Sequence, residues 1–160
     1  MRLVEFNALD EASAARELRR CCGSTRWVDS MTRGRPFPSA AAMIDFGDAV
    51  WASLESADWL EAFAAHPRIG ESTASGWEAL EQAGSRSADR EAKARLRAGN
   101  QQYEARFGYI FIVCATGKSI DTMMEILERR LQNEPRKELQ IAAEEQRQIT
   151  RLRLAKLLEA

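Results

Sequence analysis

The chain holds a single histidine, His66, placed directly before Pro67. Imidazole is the side chain best suited to moving protons near neutral pH. Proline disfavours helical dihedrals in the residue before it, so His66 is expected to close a helix and to stand on a fixed turn. The stretch from Arg68 to Gly76 has two glycines with Ser72, Thr73 and Ser75, and reads as a loop that can admit a small ligand. The plain alternative for a lone histidine is a capping or surface position. Glu81 lies 15 residues beyond His66, in Trp77-Glu78-Ala79-Leu80-Glu81-Gln82-Ala83-Gly84. A carboxylate folded back toward His66 would orient the ring or bind a polar substrate. The same stretch also reads as an amphipathic turn with solvated carboxylates.

The run Tyr109-Ile110-Phe111-Ile112-Val113-Cys114-Ala115 is apolar throughout and is core by default. Buried backbone groups must find partners, so an irregular backbone here would offer N–H and C=O groups to a ligand. Cys114 has apolar neighbours and no second histidine to activate it, so an inert core thiol is expected. Cys21, Cys22 and Cys114 lack metal-type spacing, and with one histidine they argue against a zinc site. No glycine-rich phosphate loop follows a strand.

These groups belong to a chain of 160 residues, about one domain and long enough to bury a sizeable core. Only nine glycines and four prolines occur, so loops should be few. Charged residues make up 29%, yet the net charge is −1, which argues against a dedicated nucleic-acid or anionic-membrane binder. Even the segment from Arg86 to Arg106, with six basic and three acidic residues, reads as a solvated helix face. The seven-residue apolar run is too short to span a bilayer. Met1 to Asn7 lacks the apolar core of a signal peptide, and Leu158-Glu159-Ala160 is no peroxisomal address. A cytoplasmic location is expected.

The elements that must position the candidate groups read as a row of helices. Asn7 or Asp10 can cap a first helix running to Cys22, with Gly23 as its stop. Arg33 to Pro38 reads as a loop. Ser39 opens a helix with Met43, Val50, Trp51 and Leu54 on one face, and Trp59, Leu60 and Phe63 mark a shorter one ending near His66. Ser87 can cap a long helix in which Ala92, Leu96, Tyr103 and Phe107 line one side, with Gly108 ending it. Ser119 caps the next, where Ile120, Met124, Leu127 and Leu131 predict a buried stripe. A final helix is expected from Arg136 almost to Ala160. One strand cannot form a sheet, so the expected fold is all-α: a single-domain multi-helix bundle over 1–160, with an extended or irregular apolar segment at 109–115.

Four ordered pieces together carry a resemblance: His66-Pro67-Arg68-Ile69-Gly70, Glu81-Gln82-Ala83-Gly84, the stretch from Asn100 to Ser119, and Ile149-Thr150-Arg151-Leu152-Arg153-Leu154. The set resembles the 2-oxo-4-hydroxy-4-carboxy-5-ureidoimidazoline (OHCU) decarboxylases of the uric acid pathway, over nearly the whole chain. The resemblance implies an all-helical, commonly homodimeric protein that releases carbon dioxide to give (S)-allantoin without metal or organic cofactor. It implies His66 as the catalytic proton-transfer residue and Pro67 as part of the pocket, and Glu81 is expected to act with His66 by hydrogen-bonding the substrate and steadying the imidazole. It places Glu78, Ala79, Leu80, Glu81 and Gln82 around the small-molecule substrate. Phe111, Ile112, Val113, Cys114 and Ala115 face it too, largely through their backbone. Glu78 stands where many members carry Ser, and Thr116 where many carry Arg, so no guanidinium clamp is assigned there. Two other readings remain: a non-catalytic helical binding module, and the same fold acting on a related ureido or imidazole acid.

Overall fold

The computed structural model describes residues 1–68 and 90–159. Among the described residues the chain forms eight helices and no strand, so the fold is all-α. By internal contacts they divide into two compact units, residues 1–65 with 146–160 and residues 66–145.

The first unit contains α1 (Leu3–Ala8), α2 (Glu11–Cys21), α3 (Thr25–Arg33), α4 (Ala40–Ser53) and α5 (Ser56–Ala64), with the C-terminal part of α8 (Pro135–Leu157). Side-chain oxygens close three of the N-termini: Asp10 accepts from the Ser13 N–H, Ser24 from Trp27 and Ser39 from Ala42. Each such cap contributes about 1 kcal/mol. Asp10, and not Asn7, therefore starts the helix that ends at Cys21. Asn7 sits in α1 and binds the Phe37 backbone in both directions, donating to its C=O at 2.9 Å and accepting from its N–H at 3.0 Å. That pair pins the proline-containing loop.

The sequence reading lacks α1 and α3. In α3, Trp27, Val28 and Met31 turn inward, and the Trp27 indole donates to the Gly47 carbonyl at 3.0 Å. A Cβ added at Gly47 would stand in ordinary contact range of Leu154, Trp27 and Met31, so three helices meet around its bare backbone. Phe6, Leu18, Met43, Trp51 and Phe63 complete this core. Leu60, one of the three apolar residues that mark α5 in the sequence, is exposed. Cys21 and Cys22 are buried, and desolvation pushes both thiols up to about 12.

The second unit contains α6 (Arg90–Phe107), α7 (Ile120–Arg130) and the first turns of α8. The expected Ser87 cap lies outside the described residues. Gly108, at φ 85°, ends α6 in the left-handed region that side chains avoid. The chain then runs through 110–115 without helix or strand. Helices α6 and α7 pack closely at Gly99, where an added Cβ would run into Leu127. Leu96, Tyr103, Phe111, Val113, Met123 and Leu127 form the core of this unit.

The buried stripe of α7 is rotated from the one expected. Met123, Leu127 and Arg130 are buried, while Ile120, Met124 and Leu131 are half-buried at its border. A buried arginine at the end of an apolar stripe requires an anionic partner, which α8 supplies in Glu138.

Leu127 is fully buried between α6 and α7. Leu127→Ala is expected to lower unfolding free energy by about 2–5 kcal/mol, read from the urea midpoint, with helical circular dichroism retained.

Candidate active site

His66 follows Ala65, the C-cap of α5, and both His66 and Pro67 are half-buried. The turn they form is held by the next residue. Arg68 donates from Nε and Nη2 to the two carboxylate oxygens of Glu104 on α6, both at 2.8 Å. This forked pairing fixes orientation as well as distance. Its hydrogen bonds hold the Glu104 carboxyl below its ordinary value, with a smaller opposing effect from burial. Glu78, Ala79, Leu80, Glu81 and Gln82 lie outside the described residues.

The other predicted stretch is described in full. Phe111, Ile112, Val113 and Cys114 are buried, and Ala115 is half-buried. Phe111 meets the Tyr103 ring edge-on, with centroids 5.3 Å apart. The Ile112 carbonyl accepts from Arg130 Nη1 at 2.7 Å. At Cys114, the N–H donates to the Glu145 carboxylate at 3.3 Å and the carbonyl accepts from Lys118 Nζ at 2.7 Å. The Lys118 N–H donates to the Ala115 carbonyl at 3.0 Å, closing the turn through Gly117.

The irregular backbone is therefore less open than the sequence suggests, because charged side chains already serve both polar groups of Cys114. Among the described residues, no hydrogen-bond partner meets the N–H of Ile112 or Val113. The Ile112 and Val113 donors, set among buried apolar side chains, are among those the segment can offer to a ligand oxygen.

His66 and the 111–115 segment fall in the same unit and are tied to consecutive residues of α6. Glu104 holds the turn after His66, and Tyr103 packs on Phe111. Adjacent Cα atoms are about 3.8 Å apart, so one helical turn references both candidate stretches. An imidazole presented on a braced turn can transfer a proton, and backbone N–H groups left without a protein partner can hold an anionic or carbonyl oxygen.

Sequence reasoning missed four charged residues around this segment: Lys118, Arg130, Glu138 and Glu145. Thr116 is exposed, and the cations that reach the segment's backbone are Lys118, at the Cys114 carbonyl, and Arg130, at the Ile112 carbonyl. Among the described residues, no group of three or more His, Cys, Asp or Glu side chains converges as a metal site. None of their helices is long and apolar enough to cross a membrane. Surface depressions along α2 and α7 contain none of the candidate residues.

The Arg68–Glu104 tie gives a pH dependence of definite sign. A lowered carboxyl pKa favours the folded state above the ordinary value of 4.5, and the contribution is lost as pH falls through the folded-state value. Arg68 is half-exposed, which limits the effect to about 1 kcal/mol or less. Between pH 6 and about pH 3, wild type is expected to lose more stability than Glu104→Gln, by parallel urea titrations.

The OHCU decarboxylase family model matches residues 7–155. The uric acid degradation bifunctional protein TTL of Arabidopsis thaliana is 37% identical over 145 residues, covering 86% of this chain and 45% of that protein. The 2-oxo-4-hydroxy-4-carboxy-5-ureidoimidazoline decarboxylase of Mus musculus is 42% identical over 79 residues, 49% of this chain and 44% of that protein. The matches thus span less than half the length of these relatives. A crystal structure of OHCU decarboxylase in the presence of (S)-allantoin superposes with a TM-score of 0.80 and 37% identity, over 89% of this chain and 96% of that one. A crystal structure of (S)-allantoin synthase, 16% identical, shares the fold with a TM-score of 0.76 over 99% of this chain and 54% of that one. The chain belongs to the OHCU decarboxylase family.

Proposed function

We propose that the protein decarboxylates 2-oxo-4-hydroxy-4-carboxy-5-ureidoimidazoline to (S)-allantoin, with His66 as the proton-transfer residue. The observation that carries the reading is the place of the only histidine. It stands half-buried on a turn braced through Arg68 to Glu104 of α6, the residue after the Tyr103 that packs on Phe111, in a chain matching the family over 7–155. The span of that match also supports reading the chain as one domain. A homodimer in the cytoplasm, binding neither nucleic acid nor membrane, completes the proposal.

The chemistry suits a site built from side chains and backbone. The substrate's carboxylate leaves a carbon next to a ring C=N bond. As the carbon–carbon bond breaks, carbon dioxide departs and the electron pair moves into that C=N bond. The substrate's own electron sink makes an organic cofactor or metal unnecessary in this reading. The protein's work is to orient the carboxylate, hold ring oxygens on the N–H groups of the 111–115 backbone, and deliver a proton to one face of the new centre. His66 is the proposed donor. Glu81 is proposed to hydrogen-bond the substrate and steady the imidazole, with Pro67 and residues 78–82 lining the pocket.

Polarimetry on freshly generated substrate tests the reading directly. Spontaneous decay gives both hands of allantoin, whereas the enzyme is expected to give one; a racemic product at the uncatalysed rate would overturn the proposal. His66→Ala is expected to lower kcat by about 10²–10⁴-fold while leaving helical circular dichroism unchanged. Activity within about tenfold of wild type would remove His66 from catalysis and favour a binding module. In Glu81→Gln, loss of the negative charge is expected to lower kcat more than it raises KM, and to move the pH–rate curve toward acid. Wild-type kinetics at every pH would mark Glu81 as a solvated carboxylate.

A further inference from the structure

Arg130 and Glu138 are a fully formed ion pair inside the second unit, with side chains 6% and 0% exposed. Glu138 accepts from Arg130 Nε at 2.8 Å and Nη2 at 2.6 Å, and from the Tyr103 hydroxyl. Its second oxygen accepts from Asn133 at 3.1 Å. A pair this dry adds little net stability, because desolvation of both ions offsets their attraction, and well-packed apolar residues of similar volume often do as well. Stability alone therefore gives a weak account of why α7 ends its buried stripe in arginine.

Arg130 also does something that an apolar side chain cannot. Its third nitrogen, Nη1, donates to the Ile112 carbonyl at 2.7 Å, and its guanidinium carbon lies 4.7 Å from the Phe111 ring centroid. One planar group thus bonds α8, stacks on Phe111 and fixes the orientation of the Ile112–Val113 peptide. That peptide ends in the Val113 N–H, which has no partner among the described residues. A peptide is planar, so holding its C=O also aims its N–H.

We infer that Arg130, held by Glu138, is a positioning residue that aims the Val113 N–H, and with it the 111–115 backbone, at the substrate. The inference deepens the proposed decarboxylase reading and rests on it for the identity of the substrate. Lysine cannot reproduce the arrangement, because a single ammonium lacks the planar fork that reaches carboxylate and carbonyl together.

The test compares wild type, Arg130→Lys, the paired variant Arg130→Met with Glu138→Leu, and Leu127→Ala as a packing control. Three quantities are read: the thermal midpoint, amide hydrogen exchange of Phe111 to Ala115, and kcat and KM for the ureidoimidazoline. The paired variant leaves no uncompensated buried charge, and Arg130→Lys decides the matter if that variant does not fold. Both are expected to exchange the 111–115 amides about tenfold faster or more while folded. Their kcat/KM should fall by up to about 10²-fold, the scale of an ångström misplacement. Leu127→Ala, although less stable, should keep kcat/KM within about threefold of wild type, since it leaves the Ile112 contact in place. Unchanged exchange and unchanged kcat/KM in folded Arg130 variants would overturn the inference. An equal activity loss in Leu127→Ala would reduce Arg130 to packing. If wild type does not turn over the ureidoimidazoline, the functional reading fails, and hydrogen exchange alone still decides whether Arg130 orders the segment.

Discussion

Moving a guanidinium and a carboxylate out of water costs several kcal/mol per ion before their attraction is counted. The second unit accepts that cost at Arg130 and Glu138 and arranges its neighbours around the pair. Tyr103 must present its hydroxyl to Glu138, and burial with that hydrogen bond raises the phenol's pKa far above its ordinary value. Asn133 must close the α7–α8 turn, and residues 111–115 must follow a path that brings the Ile112 carbonyl to Nη1. A charged group in a core tolerates few alternatives, because each unpaired N–H or oxygen would be left without water. The irregular segment gains one defined conformation from this requirement without belonging to a helix or a sheet.

The two candidate stretches are held by different kinds of interaction. Phe111 is gripped by packing and by a desolvated cation, both insensitive to salt. The turn after His66 is gripped by an ion pair whose arginine is half in water, and such a pair weakens as ionic strength rises. The backbone donors are thus the rigid half of the candidate site and the imidazole the adjustable half. That division suits a reaction in which an anion is held still while a proton moves.

Much of the scaffold was legible because it is written in periodicity and caps. Ser39, Ser119 and Gly108 mark boundaries where the structure has them. Helix α3 escaped notice because its nine residues carry only Trp27, Val28 and Met31 as an apolar face, although Ser24 gives it an ordinary cap. The charged framework was hidden for a different reason. Charged residues are normally read as solvent-facing, yet Met123, Leu127 and Arg130 follow one another at steps of four and three residues on the same stripe. Glu138 likewise shares the inner face of α8 with Ala142 and Gln146. Charge on a buried register is the available signal, and it identifies a partner only after two helices have been brought together. His66 and Pro67 needed no such step, because their chemistry and their turn are local.

The thiols have a use that follows from their seclusion. Cys21 and Cys22 belong to the first unit and Cys114 to the second, and all three are buried. A soluble disulfide reagent reacts with them only when the surrounding structure opens, so its rate reports the population of open molecules and not the intrinsic reactivity of the sulfur. Because the sulfurs divide two and one between the units, the amplitude of each labelling phase would identify the part of the protein that opened. The native chain carries its own position-coded clock for breathing motions, with no engineered probe required.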